Sequence, residues 1–469
     1  MKGRGKKTVA VVGTGMAGLT TAYLLHHDPE NRYEVKLLEK ENHLSLSSES
    51  IRLPSSNDET GKTLSWADVP MRAFAGGFYQ QLINMYDYLD VRYHAQPFLF
   101  SFSKSSQKST QLYMTYASNF HQMPWIPRKG LDLLLWLAEA AYALLCYLWF
   151  TVCCYLISPL EGSPSKRGES LGEYLHRIHM PEYHIKYYLL PLMSSVCTCS
   201  HQDMLNFPAT DVLGYKRRTH LQPHFVVEDG VRSVQDKLSK GVDVQFGVSL
   251  TKVESRNDRV ELTWTDSNGV AKTETFDLAV LGVSPDVAAS VFEPVKSSLG
   301  QIPTCKVETV AHTDYSALPL YHPTEKHVVS SADSLTALIQ SEKIAQGIHL
   351  WTRDGNTEAA HEQPCGIIVT TNPLKSIDVA KTIRSAKFTR VLRTLQSRNI
   401  INNIFSKDRT SRSGLTSGWT NGQGGVYLVG GWCWDGMVLL EGCIVSAMRV
   451  ASSLGVQIPW EQGKKKMAM

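Results

Sequence analysis

The sequence lacks the marks of a secreted or a nucleic-acid-binding protein. No Asn-x-Ser/Thr acceptor for N-glycosylation occurs in the 469 residues, and the 9 cysteines are odd in number and irregular in spacing. Neither observation fits a secreted disulfide framework, so we expect a reducing, cytoplasmic location. The formal net charge is only +4. Because the positive residues are dispersed, we expect no nucleic-acid partner.

Two kinds of catalytic site are also missing. The histidines His176, His179 and His184 have no cysteine or carboxylate set at ligand spacing, so we expect no metal site. A Gly-x-Ser-x-Gly string at 168–172 resembles a hydrolase motif, but it follows SPSKR instead of a buried strand. A serine hydrolase is not indicated, because its nucleophile needs a strand-to-helix turn.

The first forty residues contain a pattern of strand, glycine turn and helix. The apolar run TVAVV leads into a turn, and LTTAYLLHH follows with helical character; the turn contains Gly13, Gly15, Met16, Ala17 and Gly18. Gly13 permits a tight turn, Gly15 lets a pyrophosphate approach the backbone, and Gly18 lets the helix pack close to the strand. We predict that these five residues bind a dinucleotide.

An acidic residue follows where a ribose needs an acceptor. The run YEVKLL at 33–38 predicts a second strand, and Glu39 comes directly after it. Its carboxylate is expected to accept hydrogen bonds from the ribose hydroxyls. Since a carboxylate at this position repels a 2′-phosphate, the pattern favours FAD or NAD over NADP.

The same order of elements returns near the other end of the chain. The run GVYLVGG at 425–431 predicts a buried strand, and residues 440–454 have helical spacing. Glu441 and Gly442 stand at the start of this second helix. The segment therefore predicts another strand, turn and helix.

With these motifs the sequence resembles the flavin-containing amine oxidase superfamily, which includes carotenoid desaturase-like flavoproteins. That superfamily returns to its nucleotide domain through such a C-terminal strand and helix, so the resemblance implies an FAD cofactor. It also implies that Gly430, Gly431, Glu441 and Gly442 lie near the isoalloxazine ring. Cys433 is close enough to these glycines to be expected near the flavin.

The resemblance implies roles for two residues in the middle of the chain. Residues 225–253 are similar to the family segment that ends at an adenine-contacting strand, which places Leu250 beside the adenine. Lys306 lies in the strand-like run CKVETVAH, where amine oxidases have a lysine that holds a water near the flavin N5. A catalytic Lys306 and an ordinary strand lysine are both open.

The expected activity is oxidation by hydride transfer to the flavin N5. Leu439 stands where amine oxidases carry an aromatic residue, and no aromatic cage for an amine is visible. The leading hypothesis is therefore an FAD-dependent oxidoreductase that oxidises or desaturates a hydrophobic small molecule, either a lipid or a secondary metabolite. The alternatives are a flavin amine oxidase, a redox-neutral flavin-dependent isomerase and a non-catalytic membrane-bound flavoprotein.

One long apolar segment interrupts the chain at 131–157, with Asp132 and Glu139 as its only charges. Its length suits a membrane span. A single span, however, would leave the two halves of one nucleotide domain on opposite faces of the bilayer. Two alternatives remain open: one-sided membrane association and a core helix of the substrate domain. The first is favoured by basic residues on both sides, which are Arg128, Lys129, Lys166 and Arg167.

At 469 residues the chain is long enough for two domains. We predict an α/β fold with a Rossmann-like FAD-binding domain, built on a parallel sheet, and an inserted mixed α+β substrate domain of the amine-oxidase type. The FAD-binding domain is expected to be discontinuous, from residues 1–60, 220–300 and 410–460. The substrate domain is expected to consist of 61–219 and 301–409, including the 131–157 helix.

Overall fold

The computed structural model of the protein describes most of the chain. The described residues are 5–54, 64–105, 110–119, 121, 123, 130–162, 168–318, 346–363, 365–405 and 418–461. The basic residues Arg128, Lys129, Lys166 and Arg167 lie outside these ranges.

The strands are numbered β1 to β20 in chain order. They are β1 (Lys7–Val12), β2 (Tyr33–Leu38), β3 (Ile51–Pro54), β4 (Leu64–Ala67), β5 (Phe74–Ala75), β6 (Tyr93–Ala95), β7 (Phe98–Ser105), β8 (Thr110–Ala117), β9 (His224–Val227), β10 (Asp243–Gln245), β11 (Ser249–Arg256), β12 (Arg259–Thr265), β13 (Ala271–Phe276), β14 (Leu278–Leu281), β15 (Thr304–His312), β16 (Gln346–Arg353), β17 (Asn356–Glu362), β18 (Ile368–Thr371), β19 (Thr382–Val391) and β20 (Val426–Leu428).

The α-helices are numbered α1 to α13 in the same way. They are α1 (Met16–His26), α2 (Gln80–Tyr88), α3 (Leu131–Leu156), α4 (Leu171–Arg177), α5 (Glu182–His184), α6 (Leu190–Cys197), α7 (His201–Leu205), α8 (Ala209–Thr219), α9 (Gly230–Ser239), α10 (Pro285–Val291), α11 (Glu293–Leu299), α12 (Leu395–Phe405) and α13 (Leu440–Ser453). A π-helical turn, Ile185–Leu189, joins α5 to α6.

A parallel five-stranded sheet forms the first layer, in the order β10-β2-β1-β14-β20. Its central strand β1 is buried from Val9 to Val12 and pairs on both sides, with Val9 opposite Val35 of β2 and Leu278 of β14. Apolar runs of this kind are typical of parallel strands covered on both faces. The sheet therefore joins residues from the beginning, middle and end of the chain, as a discontinuous Rossmann-like domain requires.

A mixed seven-stranded sheet forms the second large layer, in the order β19-β15-β18-β17-β16-β7-β8. Most neighbours are antiparallel, but β16 and β7 run parallel. Smaller sheets pair β11 with β12 and β13, β3 with β4, and β9 with β5 and β6. The α/β architecture with a parallel nucleotide-type sheet and a mixed second sheet agrees with the predicted fold class.

Helix α1 lies in the core that connects these layers. It packs against β2, α9 and α13, and its residues from Met16 to Leu25 are all buried. The hydroxyls of Thr20 and Thr21 donate back to the carbonyls of Met16 (2.7 Å) and Ala17 (2.8 Å), so no polar atom of these threonines is left unpaired. This packing fixes the N-terminus of α1 at the carboxyl end of β1.

Candidate active site

The glycine turn after β1 has three glycines with three different environments. Gly13 has φ +94°, and a Cβ there would meet the Gly282 carbonyl oxygen at 2.8 Å. A Cβ on Gly18 would lie 1.9 Å from the Gly13 carbonyl oxygen, so only glycine lets α1 pack this close to the turn. At Gly15, by contrast, no atom lies within 4 Å of an added Cβ. Gly15 therefore leaves open space where a ligand can approach the backbone.

The N-terminus of α1 opens into that space. No side chain caps it, and no acidic residue stands in its first turn. Gly15, Met16 and Ala17 line the adjoining cavity. Uncapped amides at a helix N-terminus carry partial positive charge and suit a phosphate group.

Glu39 lies beside this turn, at the end of β2. Its buried carboxylate accepts from the Thr14 amide at 3.0 Å, from the Thr14 hydroxyl, and from the Glu41 amide at 3.1 Å. The Thr14 hydroxyl is also hydrogen bonded to the Ser45 amide at 2.7 Å. The structure thus places an acceptor next to the glycine turn, although Glu39 is not among the residues that line the cavity.

A second glycine turn, after β14, completes this edge and was not singled out from the sequence. The Gly282 amide donates to the Val12 carbonyl at 2.8 Å. A Cβ on Gly282 would meet that carbonyl oxygen at 3.0 Å and the Gly18 Cα at 3.2 Å. Gly282, Val283 and Ser284 line the cavity. A glycine directly after a buried apolar run was the available signal.

The C-terminal segment brings a second helix N-terminus to the same place. After β20 the chain passes through Gly430 and Gly431, which line the cavity together with Leu439 and Leu440. The Gly430 amide donates to the Ser446 hydroxyl at 3.0 Å, which ties the turn to α13. Helix α13 begins at Leu440 without a side-chain cap and packs against α1. The N-termini of α1 and α13 therefore face one cavity.

The side chains of Glu441 and Gly442 are directed away from the cavity. The Glu441 carboxylate accepts from the amides of Gln81 (2.9 Å) and Leu82 (3.0 Å), so it caps the N-terminus of α2. A Cβ on Gly442 would lie 2.3 Å from the Trp434 indole nitrogen. The two residues do not line the cavity, but their chain neighbours Leu440 and Cys443 do. Their expected position near the isoalloxazine ring stays a prediction.

The two candidates in the middle of the chain also lie outside the cavity lining. Leu250 is part-buried on β11 beside the hydrophobic core, and the Val248 amide next to it donates to the Glu39 carbonyl at 2.8 Å. Lys306 is exposed on β15, where its ammonium donates to the Thr389 hydroxyl at 2.9 Å. Thr389 lines the cavity, so Lys306 is one hydrogen bond away from it, and its role in holding a water at the reaction centre stays a prediction.

The cysteine that faces the cavity is not the one suggested by the sequence. Cys433 is fully buried in the core, whereas Cys443 lines the cavity near the N-termini of α1 and α13. Burial raises the pKa of the Cys443 thiol to about 11, so the thiol is protonated at neutral pH. Two residues after the glycine pair, the side chain of Cys433 turns into the core.

The cavity has a volume of about 440 Å³ and lies at the seam between the parallel sheet and the mixed sheet. One side consists of the two glycine turns and the C-terminal glycine pair. The opposite side comes from the rest of the chain and includes Met71, Arg72, Tyr79, Phe98, Phe100, Tyr215, His224, Ile348, His361 and Arg390. A cavity of this size, lined by both apolar and polar side chains, is typical of a small-molecule site.

Burial sets the protonation states around this cavity. It lowers the pKa values of His224 and His361 to about 4, so both imidazoles are neutral at neutral pH. Burial also raises the pKa values of the Tyr79 and Tyr215 hydroxyls, which stay protonated. Among the described lining residues, the charged side chains are therefore Arg72 and Arg390.

The fold and the site together define a protein with a Rossmann-like dinucleotide-binding sheet joined to a second, cavity-forming sheet. Residues 11–89 match the family model of an NAD(P)-binding Rossmann-like domain. Residues 163–318 match the model of flavin containing amine oxidoreductases. Both matches support the flavin-containing amine oxidase superfamily, a group of oxidoreductases, and so imply a flavin cofactor. No curated protein matches the chain.

Proposed function

We propose that the protein is an FAD-dependent oxidoreductase that oxidises or desaturates a hydrophobic organic substrate. The observation that carries this proposal is the cavity itself. Two uncapped helix N-termini meet on its nucleotide side, and Phe98, Phe100 and Ile348 provide apolar surface on the other. A bound FAD would supply the hydride acceptor at N5.

The residues present fit this cofactor. The open cradle at Gly15 and the amides at the start of α1 suit the pyrophosphate, and Glu39 suits a ribose. The backbone around Gly430 and Gly431, with the start of α13, would face the flavin ring. The apolar side chains would exclude water from the reacting carbon, which favours hydride transfer over side reactions.

FAD uptake by the purified protein tests the cofactor. We expect a yellow protein with flavin absorbance bands. Gly15→Ala should weaken FAD binding at least tenfold, because its methyl group occupies the space open to the pyrophosphate. Gly418→Ala is the matched control, since a Cβ there also meets no atom within 4 Å and neither Gly418 nor its neighbour Trp419 lines the cavity. A colourless protein that takes up no FAD contradicts the proposal.

Anaerobic bleaching of the flavin by a panel of compounds tests the reaction class. We expect apolar substrates to reduce the flavin. The family match favours amine oxidation as the second candidate. Amines of the same size would then bleach the flavin instead, and this result would replace the first candidate by the second.

We also propose that α3 associates with one face of a membrane. Only 17% of its most apolar window is buried, and the exposed residues Leu134, Leu145, Leu148, Val152 and Leu156 share one face of the helix. The opposite face, which includes Cys146, Phe150 and Cys153, packs onto the protein. An apolar face of this size without protein cover suits the lipid interface.

The surroundings of α3 agree with a one-sided arrangement. Because β1 and β20 belong to one sheet, the intervening α3 cannot leave them on opposite sides of a bilayer. Basic residues of α8 lie alongside: the Lys216 ammonium donates to the Tyr147 hydroxyl at 3.1 Å, and Arg217 binds the Cys154 carbonyl. Cations beside an apolar face suit anionic lipid.

Flotation with liposomes tests this association. The protein should float with phosphatidylserine-containing vesicles more than with pure phosphatidylcholine vesicles. The double substitution Leu145→Glu with Val152→Glu should abolish flotation. The control is Lys387→Gln, which removes an exposed charge on β19, more than 200 residues after α3 in the sequence, and should float normally. Unchanged flotation of the double variant contradicts membrane association through α3.

A further inference from the structure

Two arginines contribute their charge to the cavity from different elements. Arg390 lies on β19 and Arg72 lies between β4 and β5, and both line the cavity. Burial, followed by the positive charge of Arg72, lowers the pKa of Arg390. Two like charges that act on each other in a partly desolvated space repel, so this arrangement is unfavourable without an anion.

Within the described residues, no carboxylate lies within ion-pair distance of either arginine. Asp68, whose carboxyl group interacts with the charge of Arg72, is hydrogen bonded elsewhere: it accepts from the Ser50 hydroxyl at 2.8 Å and the Val231 amide at 3.1 Å. The described cavity lining contains no aspartate or glutamate. In the described residues the charges of Arg72 and Arg390 are therefore not balanced by an ion pair, and Asp68 acts on Arg72 only from a distance.

Arg390 is held in place by one of its nitrogens. Its Nε donates to the Thr198 hydroxyl at 2.8 Å, and that hydroxyl in turn donates to the Cys197 carbonyl at 2.8 Å. In the described part of the chain, the two terminal nitrogens of Arg390 have no hydrogen-bond partner. A planar guanidinium with free terminal donors recognises carboxylate and phosphate oxygens in pairs.

The position of Arg390 associates it with substrate more than with the nucleotide phosphates. The phosphates have their own site at the start of α1, near Gly15. Arg390 lies on the edge strand of the mixed sheet, which also provides the apolar residues Phe98, Phe100 and Ile348. Phe98 and Phe100 are two residues apart on β7 and so share one face. A charged anchor and an apolar wall thus belong to the same sheet.

We propose that the substrate is an apolar organic anion, with a carboxylate or phosphate head held by Arg390 and Arg72 and an apolar body along β7 and β16. This inference rests on the proposed function and specifies its substrate class. It also predicts weak binding of a simple cationic amine, since the described cavity lining offers an amine no carboxylate.

Head-group comparison on the FAD-loaded full chain tests the proposal. The probes are dodecanoate, dodecyl phosphate, dodecanol and dodecylamine, and their binding is followed by the change in flavin absorbance and by calorimetry. We expect one or both anions to bind at least tenfold more tightly than the alcohol and the amine. Equal or tighter binding of the alcohol or the amine overturns the proposal. The preference between the two anions identifies the head group.

Substitutions assign the binding to the arginines. Arg390→Gln should weaken binding of the preferred anion at least tenfold, and Arg72→Gln several-fold. Arg390→Lys keeps the charge without the paired donors and should be intermediate, which guards against misfolding of the glutamine variant. Lys387→Gln removes one positive charge from an exposed position on the same strand and should bind normally. Unchanged anion binding in all arginine variants overturns the proposal.

Two further outcomes separate this proposal from others. If Arg390→Gln weakens FAD binding and leaves dodecanoate binding unchanged, Arg390 serves the pyrophosphate and the proposal is wrong. If the protein takes up no FAD but calorimetry still detects Arg390-dependent anion binding, the oxidoreductase proposal fails and the anion site stands. If the protein binds FAD but binds the four probes equally well, the oxidoreductase proposal stands and the anion-site proposal is wrong.

Discussion

Helices α1 and α3 are both rich in apolar residues, yet they occupy opposite environments. In α1 every residue from Met16 to Leu25 is buried beneath neighbouring elements, whereas α3 buries one narrow face and exposes a row of leucines. The two helices differ in burial because of the elements that pack against them, and not because of their amino-acid composition. α1 is covered by β2, α9 and α13, while in the described residues the contacts of α3 come from one side.

This contrast shows that an apolar helix sequence predicts burial, but does not predict whether protein or lipid buries the helix. The cover of α1 is provided by the chain itself and is completed by elements more than two hundred residues away. In the described residues no element covers the exposed face of α3, and the lipid interface proposed above would provide that cover. Substitutions in the two helices distinguish these cases.

The largest effect is expected in α1. Leu24→Glu places a carboxylate in a site with 2% exposure inside the hydrophobic core, so the variant should fail to fold. An unpaired buried charge costs well over about 4 kcal/mol, a large part of the total stability of most domains. Circular dichroism and soluble yield provide the measurement. A soluble Leu24→Glu protein with a normal melting transition would show that α1 is not core.

A smaller effect is expected on the buried side of α3, where acid should weaken the contact with α5. His184 is buried against Tyr142 and Tyr188, its Nδ1 has no hydrogen-bond partner, and burial lowers its pKa to about 4. Glu139, the nearby carboxylate, is bonded to Tyr188. Because the unfolded state binds the proton first, stability is lost as pH falls from about 6.5 towards 4, by roughly 2 kcal/mol at pH 5.

Melting curves at pH 7 and pH 5 check this expectation. His184→Phe should reduce the loss of stability between the two pH values. The control is His176→Phe, which alters an exposed histidine of α4 and should leave the pH dependence intact. An identical pH dependence in the His184 variant and the unmodified protein would refute the assignment to His184.

A still smaller effect is expected where α13, part of the cover of α1, meets α2. Glu441→Ala removes the carboxylate that caps α2, which should cost about 1 kcal/mol of stability. Because the Glu441 side chain faces Gln81 and Leu82 and not the cavity, the flavin absorbance of the loaded protein should not change. A shifted flavin spectrum with unchanged stability would instead support the position implied by the family resemblance.

The smallest effect on stability is expected on the exposed face of α3. Leu145→Glu alters a side chain with 66% exposure, so the free energy of unfolding should change by less than about 0.5 kcal/mol. The same type of substitution is thus expected to abolish folding in α1 and to leave the stability almost unchanged in α3. A marked fall in melting temperature for Leu145→Glu would mean that protein covers this face.

Local patterns predicted the parts of the fold that depend on local chemistry. The turn at Gly13, Gly15 and Gly18 was predictable, because the steric reason for each glycine lies in the strand, turn and helix formed by its neighbours in sequence. The helix predicted for 131–157 is observed as Leu131–Leu156, since a long apolar run with two charges and no glycine or proline has few other options. The fold class followed from the strand and turn signals at both ends.

The rest of the site depends on contacts between distant residues. Glu441 is directed by the amides of Gln81 and Leu82, which lie some 360 residues earlier, so no pattern around Glu441 reveals its role. Lys306 is exposed and hydrogen bonded to the cavity-lining Thr389, while Arg390 of the paired strand β19 lines the cavity itself. On a strand, alternate side chains face opposite sides, so the sequence alone did not identify Arg390 as a cation of the cavity. The predicted domain boundaries stay a prediction.

The discontinuity of the parallel sheet has a consequence for biosynthesis. Strand β20 pairs with β14, and α13 covers α1, but both follow β1 by about 400 residues. At roughly 5–20 residues per second, synthesis of that interval takes about 20 to 80 seconds. During this time the cofactor site is incomplete and α3 has already left the ribosome. The cofactor site is therefore completed by the synthesis of α13, long after α3 has left the ribosome.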